Sequence, residues 1–372
     1  MSLKPDHSKV PGIIIDHIPA STKQYVGSPS IVILPNGDYV MSHDFFGRGT
    51  NYDTMAVFRS RDRGETWTQI YKTVGQWWSN LFLHQGDLYL LGTSREYGYA
   101  VIRRSIDGGE TWTTPEDENT GRISAEDRYH CAPMPVVAHR GYVWRAFELA
   151  HGPREEWLAQ VLSVPEDADL LQAKNWRFSE PFQHLWVCAQ WIEGNVVITP
   201  DDKLVNILRF NMRNLPREVI DQGGDTAAVL HISEDGKTLT HDRDQDIIDF
   251  PGGGVKFTIR FDEQTNRYWV LGNKQTNPKA FRNTLVLASS EDLRSWRVES
   301  TILHHPDPVD HAFQYVDWQF DGDDMLVASR TAYDDGLGGA HRAHDANYLT
   351  FHRIENFRDR TMDDSPLNTV EE

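Results

Sequence analysis

The sequence has only two cysteines, Cys131 and Cys188, among its 372 residues. Two thiols are too few for a disulfide framework, so we interpret both as free thiols in the core. No stretch is long and apolar enough to span a bilayer. The chain also shows no signal peptide, and its location stays open: exported or periplasmic if a leader has been removed, otherwise cytoplasmic.

Positive charge is scarce as well. The chain carries 37 lysines and arginines against 55 aspartates and glutamates, a net charge of −18 at pH 7. Such a charge repels phosphate backbones and anionic lipid headgroups, so we expect neither a nucleic acid nor a membrane as partner. Aromatic residues, in contrast, are plentiful. The 12 Trp, 13 Tyr and 16 Phe residues supply a large core and flat faces on which sugar rings stack.

One eight-residue phrase occurs twice in full. Residues 60–67 and 105–112 both have the pattern Ser-x-Asp-x-Gly-x-Thr-Trp, and each copy follows a strand of alternating apolar residues. The Asp carboxylate suits a self-capped turn, and the Gly takes a positive φ. Decayed copies begin at Ser233 and Ser290, and a fainter one lies near Asp167. A hairpin that recurs at intervals of roughly 45–65 residues in an all-β chain is typical of a propeller.

These repeats predict an all-β chain that folds as a six-bladed β-propeller. We expect one domain over residues 1–372, with a core from about 12 to 357 and a polar, frayed C-terminal tail. The strand predicted at residues 12–18 has no hairpin partner of its own, whereas the sixth blade supplies only three strands. We therefore predict that the N-terminal strand closes the ring as the fourth strand of that blade.

The repeated phrase resembles the Asp box, or BNR repeat, of the sialidase (neuraminidase) superfamily. This resemblance implies a propeller in which Asp62 and Asp107 are structural residues of the outer rim. Active sialidases share an arginine triad that begins early in blade one, an Asp acid/base, and a Tyr activated by a Glu. Here no Phe-Arg-Ile-Pro-like segment precedes blade one, the Asp and the Tyr/Glu pair do not map onto the sequence, and Tyr315 is one candidate for the Tyr. The chain therefore looks more similar to sialidase-like glycoside hydrolases or polysaccharide lyases than to a true sialidase.

The same topology predicts where a site lies. In a four-stranded blade the repeated turn joins strands 3 and 4, so the strand 2–3 loops and the links between blades meet at the opposite face. Those segments are crowded with acids, bases, cations and aromatic residues. The catalytic candidates among them are His43, His130, Tyr129, Glu193 and Asp317, with Glu148 and Asp44 as further carboxylates.

Other residues of these segments suit the binding of a sugar acid. Arginine and lysine side chains hold a carboxylate, in the arginine case through two parallel hydrogen bonds. Tryptophan faces frame a pyranose ring. The substrate-binding candidates are Arg330, Arg145, Arg95, Lys256, Trp77, Trp78, Trp191, Gln314, Tyr315 and His344, with Arg209 and Arg282 as further cations.

We expect no cofactor and no metal ion, although one segment allows a second interpretation. The spacing of His341, His344 and Asp345 suits a divalent metal, and equally a hydrogen-bonded staple of the loop. The contiguous Ser, His and Asp at residues 42–44 are not evidence for a catalytic triad, because the members of a triad meet in space rather than in sequence.

Together these features predict a carbohydrate-active enzyme that cleaves a glycosidic linkage of an acidic-sugar-containing glycan at the propeller mouth. The first hypothesis is a glycoside hydrolase, with an oligosaccharide or polysaccharide as its partner. One alternative is a uronate-dependent polysaccharide lyase that uses His, Tyr and Arg. A second alternative is a non-catalytic glycan-binding propeller, and a structural or partner-binding propeller is a third.

Overall fold

The computed structural model describes residues 4–151, 156–183, 190–211, 225–276 and 280–366. Within these ranges, 27 strands form six separate antiparallel sheets. The sheets are arranged as a ring, and the innermost strands of neighbouring sheets contact each other around a central axis. The predicted six-bladed β-propeller is thus confirmed. In the same part of the chain, no helix has the length and apolar character needed to cross a membrane.

Apart from the first strand of the chain, β1 (Ile13–His17), the strands of each blade run outward from the axis in chain order. Blade one contains β2 (Tyr25–Val26), β3 (Ser30–Ile33), β4 (Tyr39–Phe46), β5 (Thr54–Ser60) and β6 (Thr68–Val74). Blade two contains β7 (Trp77–His84), β8 (Asp87–Thr93), β9 (Tyr99–Ser105) and β10 (Arg122–Asp127). Blade three contains β11 (Tyr129–His130), β12 (Val137–His139), β13 (Tyr142–His151), β14 (Glu156–Pro165) and β15 (Arg177–Phe178).

The second half of the chain repeats this arrangement. Blade four contains β16 (Gln190–Ile198), β17 (Leu204–Asn211), β18 (Thr226–Ile232), β19 (Leu239–Thr240) and β20 (Ile247–Asp249). Blade five contains β21 (Thr258–Asp262), β22 (Arg267–Asn273), β23 (Thr284–Ser290) and β24 (Arg297–His304). Blade six contains β25 (Ala312–Asp321), β26 (Asp324–Ala332) and β27 (Tyr348–Ile354). Short 3-10 helices lie at Ala20–Thr22, Ala173–Asn175, Phe357–Asp359 and Met362–Asp364.

The N-terminal strand closes the ring, as the sequence predicts. Strand β1 pairs antiparallel with β27, so that Ile13 lies opposite Phe351 and His17 opposite Tyr348. It is the outermost strand of blade six, whose other three strands come from the end of the chain. The first and last parts of the chain therefore share one sheet.

The two full copies of the repeated phrase form the same turn at the ends of β5 and β9. Asp62 accepts hydrogen bonds from the Ser60 hydroxyl (2.8 Å) and the Thr66 amide (2.9 Å). Asp107 accepts the equivalent bonds at the same two distances from Ser105 and Thr111. The turn is thus capped from within, as predicted.

Polar side chains tie neighbouring blades together around the axis. On β25, Asp317 accepts hydrogen bonds from the Ser30 hydroxyl (2.8 Å) and the Ile31 amide (3.0 Å) of blade one. It also pairs with Arg260 of blade five at 3.1 Å. In blade four, Asn195 accepts from the Ile259 amide of blade five (2.9 Å). These contacts fasten the inner strands to one another, independently of the sheets themselves.

The segment after Phe357 continues as ordered chain to residue 366, where the sequence predicts a frayed tail. Phe357 is fully buried among the side chains of blades five and six. The hydroxyl of Ser365 accepts a hydrogen bond from the Thr301 amide at 2.9 Å, and Ser365 is buried as well. Apolar burial at one end and a backbone contact at the other hold this polar segment against blade five.

Candidate active site

The innermost strands of blades two, four and six share one irregularity. The pairing of β7, β16 and β25 with the next strand is interrupted by a register shift in the first half of each strand. One residue at each interruption has a positive φ: Trp78 at 48°, Glu193 at 57° and Tyr315 at 55°. Large side chains rarely adopt this conformation, which bends a strand and re-aims a side chain. At the three interruptions, these residues depart from the regular alternation of side chains along a strand. The side chains of two of them, Glu193 and Tyr315, contact each other.

Tyr315 and Glu193 meet across the ring, with Arg209 beside them. The Tyr315 hydroxyl donates a hydrogen bond to Glu193 Oε1 at 2.7 Å. Arg209 Nη1 donates to Glu193 Oε2 at 2.7 Å and to the Tyr315 oxygen at 3.2 Å. All three side chains are buried. This is a phenol held between a carboxylate and a guanidinium.

The charge state of Glu193 follows from this arrangement. Burial acts to raise the pKa of Glu193, but the charge and hydrogen bond of Arg209 outweigh it, with His130 and Tyr315 contributing, and the pKa falls to about 2. Glu193 is therefore ionised at neutral pH. An ionised carboxylate that already accepts the phenol hydrogen bond is placed to receive the phenol proton.

Two further guanidinium groups face Tyr315. Arg330 lies 4.8 Å and Arg282 5.6 Å from the centroid of the Tyr315 ring. Arg330 is 3% exposed and donates to the His344 carbonyl, while its Nε has no hydrogen-bond partner within the described ranges. Burial lowers the pKa of Arg330, against the opposing charges of Tyr315 and Asp345. A buried guanidinium that lacks a partner for one of its N–H groups is stabilised by an anionic ligand.

His130 and Glu148 form a second pair next to the first. His130 Nδ1 lies 2.7 Å from Glu148 Oε2. Glu148 Oε1 accepts a hydrogen bond of 3.4 Å from the amide of Gly194, the residue that follows Glu193. The His130 ring meets the rings of Trp78 (4.3 Å) and Trp157 (4.0 Å) edge to face. A histidine oriented by a carboxylate in this way can exchange a proton through its other nitrogen.

Asp44 holds Trp78 in place. Its two carboxylate oxygens accept hydrogen bonds from the Ser28 amide (2.9 Å) and the Trp78 amide (2.7 Å). A Cβ atom at Gly27 would lie 1.4 Å from Asp44 Oδ1, so only glycine fits at that position. Burial raises the pKa of Asp44 to about 6. The residue thus links the start of blade one to the start of blade two.

The raised pKa of Asp44 predicts a specific dependence of stability on pH. Between about pH 4 and pH 6 the native state keeps the proton that the unfolded chain has lost, so this contribution to stability is present below pH 4 and lost as pH rises through 6. Its size is about 3 kcal/mol, since the shift is about 2 pH units. We expect Asp44→Asn to remove it. Thermal unfolding of both proteins at pH 4 and pH 7 should show the wild type losing stability relative to the variant at the higher pH. An unchanged difference between the two proteins would contradict the prediction.

The segment 341–345 is held together by hydrogen bonds to one carboxylate. His341, Arg342 and His344 all contact Asp345, at 2.8, 2.9 and 2.6 Å. In the described ranges no group of three or more His, Cys, Asp or Glu side chains is arranged to hold a metal ion. Gln314 joins this loop to the cations, because its amide donates to the Ala343 carbonyl and its oxygen accepts from Arg282.

The structure thus brings together one group of the sequence-predicted residues and separates the others from it. The candidates that contact one another around Tyr315 and His130 are His130, Glu193, Trp78, Gln314, Tyr315, Arg330 and His344, joined by Glu148, Arg209 and Arg282. Of the two cysteines, Cys131 is buried with its sulfur against the Trp78 carbonyl, and Cys188 lies outside the described residues.

Three charged candidates are buried between the innermost strands of neighbouring blades. Besides Asp317, these are Lys256, which donates to the Val316 carbonyl (2.6 Å), and Arg145, which donates to Asn80 (2.8 Å). Both are fully buried. Their polar groups are bonded to neighbouring inner strands, as expected for residues that fasten blades together.

Four more candidates lie away from the group around Tyr315 and His130. Tyr129 and Trp191 belong to the apolar layers between blades. Trp77 is buried and donates its indole N–H to the Phe45 carbonyl at 3.1 Å. Arg95 is exposed and pairs with Asp127 at 3.0 Å.

His43 is buried between blades six and one. Its Nε2 lies 3.0 Å from Asp16 Oδ2 of β1, and its Nδ1 lies 2.9 Å from the Asp44 carbonyl. Its ring stacks on Phe58 with a centroid distance of 5.6 Å. None of these partners belongs to the group formed by Tyr315, Glu193 and Arg209.

This location predicts that His43→Ala lowers stability. The variant loses a fully buried ring and leaves Asp16 Oδ2 without the His43 contact, so we expect the free energy of unfolding to fall by about 3 kcal/mol. Chemical denaturation of variant and wild type measures the difference. A variant with wild-type stability and no turnover would instead place His43 in the chemistry.

The pairing of Tyr315 with Glu193 is the feature that sequence reasoning missed. The two residues are 122 positions apart, and neither lies in a local motif. One signal was present: Trp78, Glu193 and Tyr315 are each followed two positions later by Asn or Asp. These three residues, Asn80, Asn195 and Asp317, each bond to the next blade.

Comparison with known proteins identifies the fold. No family model matches the chain, and no curated protein matches it. A protein of unknown function from Dyadobacter fermentans has a similar structure (TM-score 0.62, 17% identity, covering 93% of this chain and 98% of that one). So does the α-L-arabinanase of Penicillium chrysogenum in complex with arabinobiose (0.55, 14%, 97% and 99%). A third is the intramolecular trans-sialidase of Ruminococcus gnavus in complex with oseltamivir carboxylate (0.55, 13%, 92% and 97%). The chain therefore has the sialidase-like, six-bladed propeller fold that these solved structures share.

Proposed function

We propose that this protein is a glycoside hydrolase that cleaves the linkage of an acidic sugar within an oligosaccharide or polysaccharide. The observation that carries the proposal is the hydrogen bond of 2.7 Å from Tyr315 to the buried, ionised Glu193, beside three guanidinium groups. A phenol is a weak nucleophile until an adjacent base takes its proton. Glu193 is such a base, and Arg209 stabilises the phenolate that results.

In the proposed first step, the Tyr315 oxygen bonds to the anomeric carbon while the glycosidic C–O bond breaks. Glu193 takes the phenol proton, and His130 gives a proton to the departing oxygen. In the second step water attacks the same carbon, His130 takes the proton of the water, and the bond to Tyr315 breaks. The phenolate then recovers its proton from Glu193. Glu148 orients His130 through both steps.

Acidic-sugar specificity is proposed from the cations. Arg330 is buried, and its Nε has no partner within the described ranges, so a substrate carboxylate would compensate a charge that the protein leaves partly unsatisfied. Arg282 is oriented by Gln314 toward the same space. The trans-sialidase of similar fold was solved with a carboxylate ligand, which supports this assignment, and the arabinanase was solved with the neutral sugar arabinobiose.

We further assign the self-capped turns at residues 60–67 and 105–112 to the Asp-box type.

A polysaccharide lyase is the second candidate, and the His130–Glu148 pair favours it. A lyase needs a cation to neutralise the uronate carboxylate and a base to take the adjacent proton. Arg330 and His130 have those two chemistries. Tyr315 would then donate the proton to the leaving oxygen rather than attack carbon.

Mass spectrometry of products distinguishes the candidates. The protein is incubated with a panel of sialylated and uronic-acid-containing glycans, with the Glu193→Gln variant as a matched blank. Products that gain one water support the hydrolase. An unsaturated uronate with no added water overturns it in favour of the lyase. If no glycan is cleaved but some are bound, the protein is a glycan-binding propeller.

A further inference from the structure

A cavity lies beside Arg330, at the boundary between blades six and one. Its volume is about 680 Å³, and its walls include Lys23, Tyr25, Phe46, Arg48 and His344. Phe46 and His344 also contact Arg330: the guanidinium lies 4.4 Å from the Phe46 ring centroid and donates to the His344 carbonyl. The cavity and the proposed carboxylate site therefore share a wall.

The cavity combines an aromatic wall with positive charge, and the one carboxylate in its lining, Asp345, is already paired with His341, Arg342 and His344. Tyr25 stacks on His341 (5.5 Å between centroids, 20° between planes) and lies 5.3 Å from Phe46. Lys23 and Arg48 are exposed residues on its rim, and neither forms an ion pair within the part of the chain that the structure describes. A flat aromatic wall suits a sugar ring, and two uncompensated cations suit an acidic substituent on that ring.

The backbone around the cavity is closely packed. Gly47 has a φ of 107°, and a Cβ atom there would lie 2.5 Å from the Lys23 carbonyl oxygen and 2.7 Å from Tyr25 Cδ2. The Gly49 amide donates to the same Lys23 carbonyl at 3.0 Å. Close contact between these two segments fixes the positions of the Lys23 and Arg48 backbones relative to each other. The cavity is thus built before any ligand arrives.

We propose that this cavity is a second anionic subsite, which binds the acidic group of the sugar next to the one held by Arg330. The inference rests on the proposed function, because Arg330 and the cavity are taken to hold one continuous ligand. It names the substrate class more narrowly: an oligosaccharide with acidic groups on two neighbouring residues. A chain with a single acidic sugar would fill only the mouth.

Binding of matched one-acid and two-acid ligands tests the inference. Isothermal titration with the Tyr315→Phe protein compares α2,3-sialyllactose with its α2,8-disialyl counterpart, and galacturonate with digalacturonate. We expect the second acid to improve affinity about tenfold in at least one pair, as for one charge-assisted contact. Arg48→Ala and Lys23→Ala, each added to that protein, should remove most of the gain. Arg61→Ala, an exposed arginine on the repeated turn, is the charge-matched control and should keep it.

The outcomes separate this inference from the proposed function. If one-acid ligands bind and the second acid adds nothing, the subsite is overturned while the proposed function stands. If the gain persists in both the Arg48→Ala and the Lys23→Ala proteins, the second acid binds elsewhere and the inference fails. If no ligand of either pair binds, both the acidic-sugar specificity and the subsite are wrong.

Discussion

Tyr315→Phe is expected to reduce kcat by about 10³-fold or more on any glycan that the wild type cleaves. The substitution removes one oxygen atom and keeps the ring that faces Arg330 and Arg282. Glu193 keeps its ion pair with Arg209, so the substitution does not change the charges of the site. Loss of the hydrogen bond to a charged group costs about 2 kcal/mol of stability, which leaves the protein folded. Steady-state kinetics and thermal unfolding measure the two effects.

Tyr129→Phe is the matched control for this experiment. Tyr129 is buried to a similar degree, but its ring packs between blades two and three against Phe147 and Phe178. We expect that variant to keep its kcat. If Tyr315→Phe retains more than about a tenth of the activity, the phenol is not the nucleophile, and a carboxylate such as Glu193 must act directly on the sugar.

The fold was predictable because its signals are local. The Ser, Asp, Gly, Thr and Trp of residues 60–67 specify a turn whose capping hydrogen bonds lie within the phrase, so the same residues give the same turn at 105–112. Counting the hairpins gave the number of blades. The lone strand β1 could be assigned to blade six because that blade has only three strands of its own.

The site was predictable only in outline, because its geometry depends on non-local pairing. His43 and Asp44 are adjacent on β4, and successive side chains of a strand point to opposite faces. The sequence does not show which face of β4 packs against blade six and which lies toward Trp78. In the structure, His43 contacts Asp16, whereas Asp44 accepts a hydrogen bond from the Trp78 amide. Likewise, residues only two positions apart at the start of an inner strand differ in role. On β25, Tyr315 turns to Glu193, and Asp317 turns to blade one.

Asp317→Ala is therefore expected to act on stability rather than on chemistry. The substitution leaves the Arg260 guanidinium without its carboxylate and leaves the Ser30 hydroxyl and the Ile31 amide without their acceptor. Removing one member of a buried ion pair typically costs about 3–5 kcal/mol. The loss should be large here because Asp317 joins the last blade to the first, across 286 residues of chain. Denaturant unfolding followed by tryptophan fluorescence measures it.

A carboxylate on the same blade provides the contrast. Asp323 pairs with Arg358 at 3.1 Å, but its side chain is 72% exposed, so Asp323→Ala should cost less than about 1 kcal/mol. Replacing both Asp317 and Arg260 by apolar residues should recover part of the stability that Asp317→Ala loses, because no buried charge then remains unpaired. An Asp317→Ala protein with wild-type stability but no turnover would mean that this carboxylate acts on the substrate. In that case the fastening of blade six to blade one would have to come from their other contacts, such as the hydrogen bonds from Gln319 to the Ile31 carbonyl and from the Tyr39 hydroxyl to Asp321.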